Sequence, residues 1–164
     1  MIKHLPTKTD IIAKNYLMEL QIFHPYELNI ENICCKENID YQFGFTSAYA
    51  KLCGYQMISI NNKKHSKEQH FEFLHEISHV ILDHDLSSSD YKQEIEANIL
   101  ATSLAIPIHM LKYLDFTSDV LIADTSDLFN IPPEIVICRL ESLKEYIEEF
   151  FYNKKNVSSR LERK

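Results

Sequence analysis

The sequence predicts an α+β domain in which helix predominates, with a small antiparallel sheet and a helical extension at the C-terminal end. Three observations lead there. Glycine occurs only twice, at Gly44 and Gly54, and proline five times in 164 residues, so tight turns are scarce and helices are favoured. Apolar residues recur at helical spacing over much of the chain, as in Ile12, Tyr16 and Leu20. Residues 39–61 break that texture with short aromatic and β-branched runs around the two glycines. With 45% hydrophobic and 25% charged residues, the chain has the composition and length of one well-buried domain.

In order, a first helix is expected from Thr9 to Phe23, capped by Thr9 or Asp10, and a shorter one from Asn29 to Glu37. Strands follow at Ile39–Phe45, Ser47–Leu52 and Tyr55–Asn61, then a polar turn to His65. Ser66 stands three residues before Gln69, a capping-box spacing, and opens a helix running through Phe71, Leu74, Ile77, Ile81 and Leu82. A loop around Leu86–Asp90, with its Ser87–Ser89 run, leads to a helix over Tyr91–Ile106 that Pro107 stops. An Ile108–Asp115 segment, a helix over Ser118–Phe129, a turn at Asn130–Pro133 and a last helix from Pro133 to Phe151 complete the chain. The organisation expected is a main domain over 1–115, a helical subdomain over 116–152 and a basic, disordered tail over 153–164.

Charge and composition exclude several functions. Neither GxGxxG nor GxxxxGK[ST] can be written with two isolated glycines, which removes glycine-built phosphate cradles. The net charge is -7, and five of the basic residues lie between Asn153 and Lys164, so the body is more acidic still and repels a phosphate backbone. No direct nucleic-acid partner is expected. Lys14, Asn15 and Glu19 interrupt the apolar run that a secretory signal needs, and no stretch suits a membrane span. These features suggest a cytoplasmic protein with no membrane contact. Cys34, Cys35, Cys53 and Cys138 form no CxxC pair and read as buried, reduced thiols.

The chemistry lies in His75-Glu76-Ile77-Ser78-His79. On a helix, histidines four residues apart share a face and can reach one zinc ion, while the intervening glutamate stands about 100° round the axis, beside the water that zinc activates. A catalytic zinc needs a third protein ligand. A metzincin spacing would supply Asp85, but the glycine that turns such a chain back is replaced by Leu82. His84 comes within reach only if the helix ends before it. On the next helix Glu94 and Glu96 compete, about 200° apart and unable to face one ion together. Glu94 is favoured because its face continues through Ala97, Asn98, Ala101 and Ala105, a small-residue stripe suited to close helix packing. Asn98, one turn on, is placed to accept a hydrogen bond from the far nitrogen of a ligating histidine.

HEISHVILDH followed by EIEANILATSLAIP resembles the ImmA/IrrE metallopeptidases, whose pattern is HExxH, a short loop, and a helix reading E-x-x-A-[N/D/S] that ends near a proline. The resemblance covers most of the chain. It implies a zincin-like domain with His75, His79 and Glu94 as Zn2+ ligands and Glu76 as general base. It further implies an endopeptidase that relieves repression by cleaving a helix-turn-helix repressor of a phage or mobile element. An alternative is an antirepressor that binds and sequesters that partner without proteolysis, around a structural or vestigial zinc site.

Residues 118–143 look like a helix-turn-helix, but Ile135, Val136 and Ile137 among Glu134, Arg139, Glu141 and Glu145 suit packing better than base readout. His4, His24, His65, His70 and His109 lack partner spacing and read as surface or satisfied polar residues. Phe71 and Leu82 are expected to close an apolar shell around the metal face. The strand Tyr55–Ile60 directly precedes the HExxH helix, so a substrate segment is expected to add to its edge at Tyr55, Met57 and Ser59.

Overall fold

The computed structural model describes residues 5–85 and 90–149. The 153–164 tail, the Ser87–Ser89 run, His4 and the end of the predicted last helix lie outside them. The main elements are α1 (Lys8–Glu19), α2 (Ile30–Glu37), β1 (Asp40–Gly44), β2 (Ala48–Leu52), β3 (Tyr55–Asn61), α3 (Ser66–Ile81), α4 (Tyr91–Ala105), α5 (Leu121–Phe129) and α6 (Pro133–Ser142). Short 3-10 turns at Pro25–Glu27 and Ile108–Tyr113 join helices. The architecture is the expected α+β, with helix predominant.

Helix starts are set by side chains slightly upstream of those expected. Thr7, not Thr9 or Asp10, caps α1, and Asp10 is the reciprocal partner that accepts from the Thr7 amide at 3.0 Å. At α3 the box is His65 with Glu68, one residue before the predicted pair. Helix α6 breaks at Leu143 and helix resumes over 144–149.

The sheet departs from the antiparallel one expected. Its spatial order is β1-β3-β2, with β3 antiparallel to β2 but parallel to β1. The two glycines serve different connections. Cys53 and Gly54, both at positive φ (49° and 83°), close a two-residue hairpin between β2 and β3, as a type I′ turn requires. Gly44 ends β1 where the chain crosses over the end of β3. A Cβ there would stand 2.7 Å from Ser59 Oγ, and that hydroxyl donates to the crossing Thr46 carbonyl at 2.9 Å. Two glycines at similar spacing read as two hairpins; one is a crossover that passes β3 by.

Alternation along β3 puts Ile58 and Ile60, both fully buried, on the inner face. There they meet Phe73, Leu74 and Ile77 of α3 in the core cluster. Burying each such side chain contributes roughly 1.5–3 kcal/mol. The same cluster takes in Leu100, Ala101, Leu104 and Ala105 of α4, Leu17 of α1, and Phe129, Ile131, Val136 and Leu143 from the C-terminal helices. Buried His70 ties α3 to the end of α5, its Nδ1 donating to the carbonyls of Phe129 and Asn130 at 3.1 and 3.2 Å. The cysteines are free, but only Cys34 is buried; Cys35 and Cys138 lie on outward helix faces and Cys53 in the hairpin turn. No helix among the described residues is long and apolar enough to cross a membrane.

A buried ion pair links α1 to α6. Arg139 on α6 and Asp10 on α1 are 4% and 2% exposed and meet at 2.7 Å, while Arg139 Nε donates to the Ile106 carbonyl at 3.1 Å. Burial alone would push the Asp10 carboxyl up, yet the guanidinium and the Thr7 hydroxyl and amide hold it below the ordinary carboxylate range. Arg139 is thus engaged inside the protein and is not presented at the surface.

Removing one partner leaves the other charge buried and uncompensated. Asp10→Ala is therefore expected to cost about 3–5 kcal/mol in urea unfolding. The double variant Asp10→Leu, Arg139→Met recovers a large part of that loss. Equal losses in the single and double variants would show that the pair is not a coupled unit.

Candidate metal centre

Helix α3 continues unbroken through residues 75–79, so His75 and His79 stand one turn apart with ring centroids separated by 4.8 Å. Their Nε2 atoms approach to 3.1 Å. Glu94, in the first turn of α4, faces both: Oε2 lies 3.2 Å from His75 Nε2 and Oε1 3.5 Å from His79 Nε2. The three residues form the one metal-competent group among the described residues, with ligand atoms all within 4.8 Å of each other. Zinc holding ligand atoms at about 2.0–2.2 Å in a tetrahedron spaces them roughly 3.3–3.5 Å apart, close to the 3.1 Å between the two Nε2 atoms and to the 3.2 and 3.5 Å from each to a Glu94 oxygen. Glu94 and not Glu96 completes it, and Asp85 has no place in the group.

Asn98 takes the place expected of it. Its Oδ1 lies 3.0 Å from His75 Nδ1, so a Nδ1–H donates to the amide oxygen and the Nε2 lone pair is left facing the triangle.

Glu76 lines the same cleft as His75 and lies between Glu94 and the sheet residue Tyr49 in its electrostatic surroundings. The backbone amide of Tyr49 in β2 lies close enough to favour its ionised form. Burial pushes the Glu76 carboxyl up to about 7, with Glu94 and Glu72 adding to the rise and the Tyr49 amide opposing it. Beside it opens a cleft of about 470 Å³ lined by Thr46, Ser47, Lys64, Phe71, Glu72 and Asn98, with His75 and Glu76 at its wall. Phe71 therefore lies at the site as expected.

Tyr55, Met57 and Ser59 do not lie on a vacant edge. They belong to the central strand β3, which pairs with β1 over 57–61 and with β2 over 55–59, so Met57 and Ser59 are paired on both sides and Tyr55 on one. Their side chains alternate with Ile58 and Ile60 and point away from the face that packs on α3. The edge next to the site is β2, because the Tyr49 amide reaching Glu76 points outward from its ladder with β3.

Some site residues escaped the sequence reading. Glu72 is held by Lys64 and by the Ser47 hydroxyl and shares the cleft; its position four residues before Glu76 was a usable signal. The Tyr49 amide had none, since backbone groups carry no sequence signature. His84 lies on the far side of His79, with the two Nδ1 atoms 3.0 Å apart. His84 Nε2 in turn lies 3.4 Å from Glu96 Oε2. The sequence does show that His84 needs the helix to stop first, and it stops: Leu82 is the C-cap and Asp83 adopts φ 50°.

No curated protein matches the chain. A model of the IrrE N-terminal-like domain, peptidase family M78, matches residues 36–141, 106 of the 164 residues, a span holding the sheet, the histidine helix and the Glu94 helix. With the HExxH segment and its third acidic partner inside that span, the chain belongs to the M78 peptidase family of IrrE N-terminal-like domains.

Proposed function

We propose that the protein is a zinc-dependent endopeptidase that cleaves a specific protein, a helix-turn-helix repressor of a phage or mobile element, and thereby relieves repression. The observation that carries the reading is the closure of the His75–His79 pair by Glu94 from a second helix, with Glu76 beside an open cleft. The choice of substrate rests on kinship with the ImmA/IrrE metallopeptidases.

Zinc bound by His75, His79 and Glu94 would supply Lewis acidity to an attacking water and to the scissile carbonyl. The protein's own residues do the rest. Glu76 takes a proton from the attacking water and delivers it to the leaving amine. A carboxylate beside the cleft is placed for both transfers. Asn98 keeps His75 in the tautomer whose Nε2 faces the ion. An extended substrate segment adds to the outer edge of β2, which brings its backbone past Glu76 and its side chains to the cleft.

Three outcomes are expected. Glu76→Gln retains zinc and repressor binding but lowers cleavage by about 10²–10⁴-fold, read by mass spectrometry of the repressor for one new terminus. If derepression in cells survives this substitution, the protein acts by sequestration and the enzymatic reading is wrong. His75→Ala and Glu94→Ala each lose the stoichiometric zinc that the wild type retains through gel filtration, measured by metal analysis.

The third concerns stability without metal. Folding raises the Glu76 pKa from 4.5 to about 7, so the folded state holds a proton that the unfolded chain has released. Its contribution to stability is complete below the unfolded value and is lost as pH rises toward the folded one. Glu76→Gln should therefore raise the melting temperature of the zinc-free protein at pH 8 and raise it less at pH 5. An equal effect at both values would show that Glu76 carries no burial penalty.

A further inference from the structure

Helix α3 ends by a route that usually calls for glycine. Asp83 takes the left-handed conformation (φ 50°), the amide of His84 reaches back to the His79 carbonyl at 3.1 Å, and the amide of Asp83 to the Val80 carbonyl at 3.1 Å. These two bonds are the Schellman pattern. Such a turn folds the chain back over the last helical turn, and the first side chain beyond it is His84. Its ring lands 5.0 Å from the His79 ring, inclined at 71°, and its side chain is only 7% exposed.

The proton assignment has one consistent solution. His79 presents Nε2 to the triangle with Glu94 and His75, so its proton is on Nδ1. Among the described residues its partner is His84 Nδ1, 3.0 Å away, which must then be an acceptor. The His84 proton consequently lies on Nε2, the atom that faces the Glu96 carboxylate at 3.4 Å. Each group supplies what its neighbour lacks, from the carboxylate to the metal-facing nitrogen. The arrangement parallels the His75–Asn98 bond but starts from the opposite side of the centre.

We propose that His84 and Glu96 are positioning residues that fix the orientation and tautomer of His79, so that each histidine of the centre has its own polar support. The proposal rests on the metal reading above. Two glutamates on one helix thereby acquire separate tasks: Glu94 faces the ion, and Glu96, about 200° round the axis, holds the residue behind the ligand. An outer partner of this kind sharpens ligand geometry and raises imidazole basicity, and its removal commonly weakens metal binding by about 10–100-fold.

The test is the zinc affinity of the full chain, measured by competition with a chromophoric chelator, which requires no activity and no substrate. His84→Phe keeps the ring and removes the acceptor, and is expected to weaken zinc binding by about 10–100-fold. His84→Asn restores an acceptor close to the Nδ1 position and should recover most of that loss, which a merely space-filling role would not allow. Glu96→Ala, at a side chain 46% exposed, should weaken binding several-fold. Lys92→Ala, which removes only the neighbouring pair with Glu96, should leave affinity unchanged. If His84→Phe fails to fold, Glu96→Ala decides the matter. Wild-type affinity in both His84→Phe and Glu96→Ala overturns the positioning role while leaving the metal centre intact. A wild-type chain that binds no zinc overturns the metal centre itself, and this role with it.

Discussion

The close approach of α4 to α3 is the constraint on which the site depends. Two members of the metal-competent group come from one helix and are placed by its pitch; the third comes from another helix and is placed by packing. Ala97, Ala101 and Ala105 are fully buried on the Glu94 side of α4. Helices meeting through small side chains sit at the near end of the usual 8–10 Å range. The two histidine Nε2 atoms lie 3.1 Å apart and each has a Glu94 oxygen 3.2–3.5 Å away, so a separation greater by the size of one or two methylene groups would take Glu94 out of reach. Packing density, more than electrostatics, sets whether a metal can be held.

Polar groups around this packed seam are used in contrasting ways. Asp10 and Arg139 are buried with each other and with neighbouring donors and acceptors, and both stay charged. Glu76 is largely withdrawn from water, and its proton is held more tightly as a result. The first arrangement joins α1 to α6. The second costs some stability at a carboxyl that lines the cleft beside the histidines.

Much of the site was legible because its geometry is local to single helices. His75, Glu76 and His79 are fixed by spacing alone, and Glu94 could be separated from Glu96 by asking which shared a face with small residues. What escaped reading was non-local or carried by the backbone. Asp83 reverses the chain without glycine, so the return of His84 onto His79 had no residue type to announce it. Arg139 meets Asp10 across almost the whole length of the chain, and one arginine in an apolar helix does not name its partner. Gly54 makes the hairpin its position suggests, whereas Gly44 is needed for close passage over Ser59, and nothing in the residue itself tells these uses apart. Placing β3 at an edge followed from treating both as hairpins.

The strand order bears on how the molecule is assembled. Because β3 comes third along the chain but lies second in space, β1 and β2 have no ladder with one another and must be held apart until Tyr55–Asn61 enters between them. The parallel pair cannot close first as a local hairpin, since its partners are separated by seventeen positions, and its loop entropy must be met before its contacts are gained. The β2–β3 hairpin is the only part of the sheet that can form by itself, and its inner face gains its apolar cover only on α3. Completion of the sheet is therefore tied to docking on the histidine helix, and an open strand edge beside the metal ligands belongs to the finished fold rather than to a stable fragment of it.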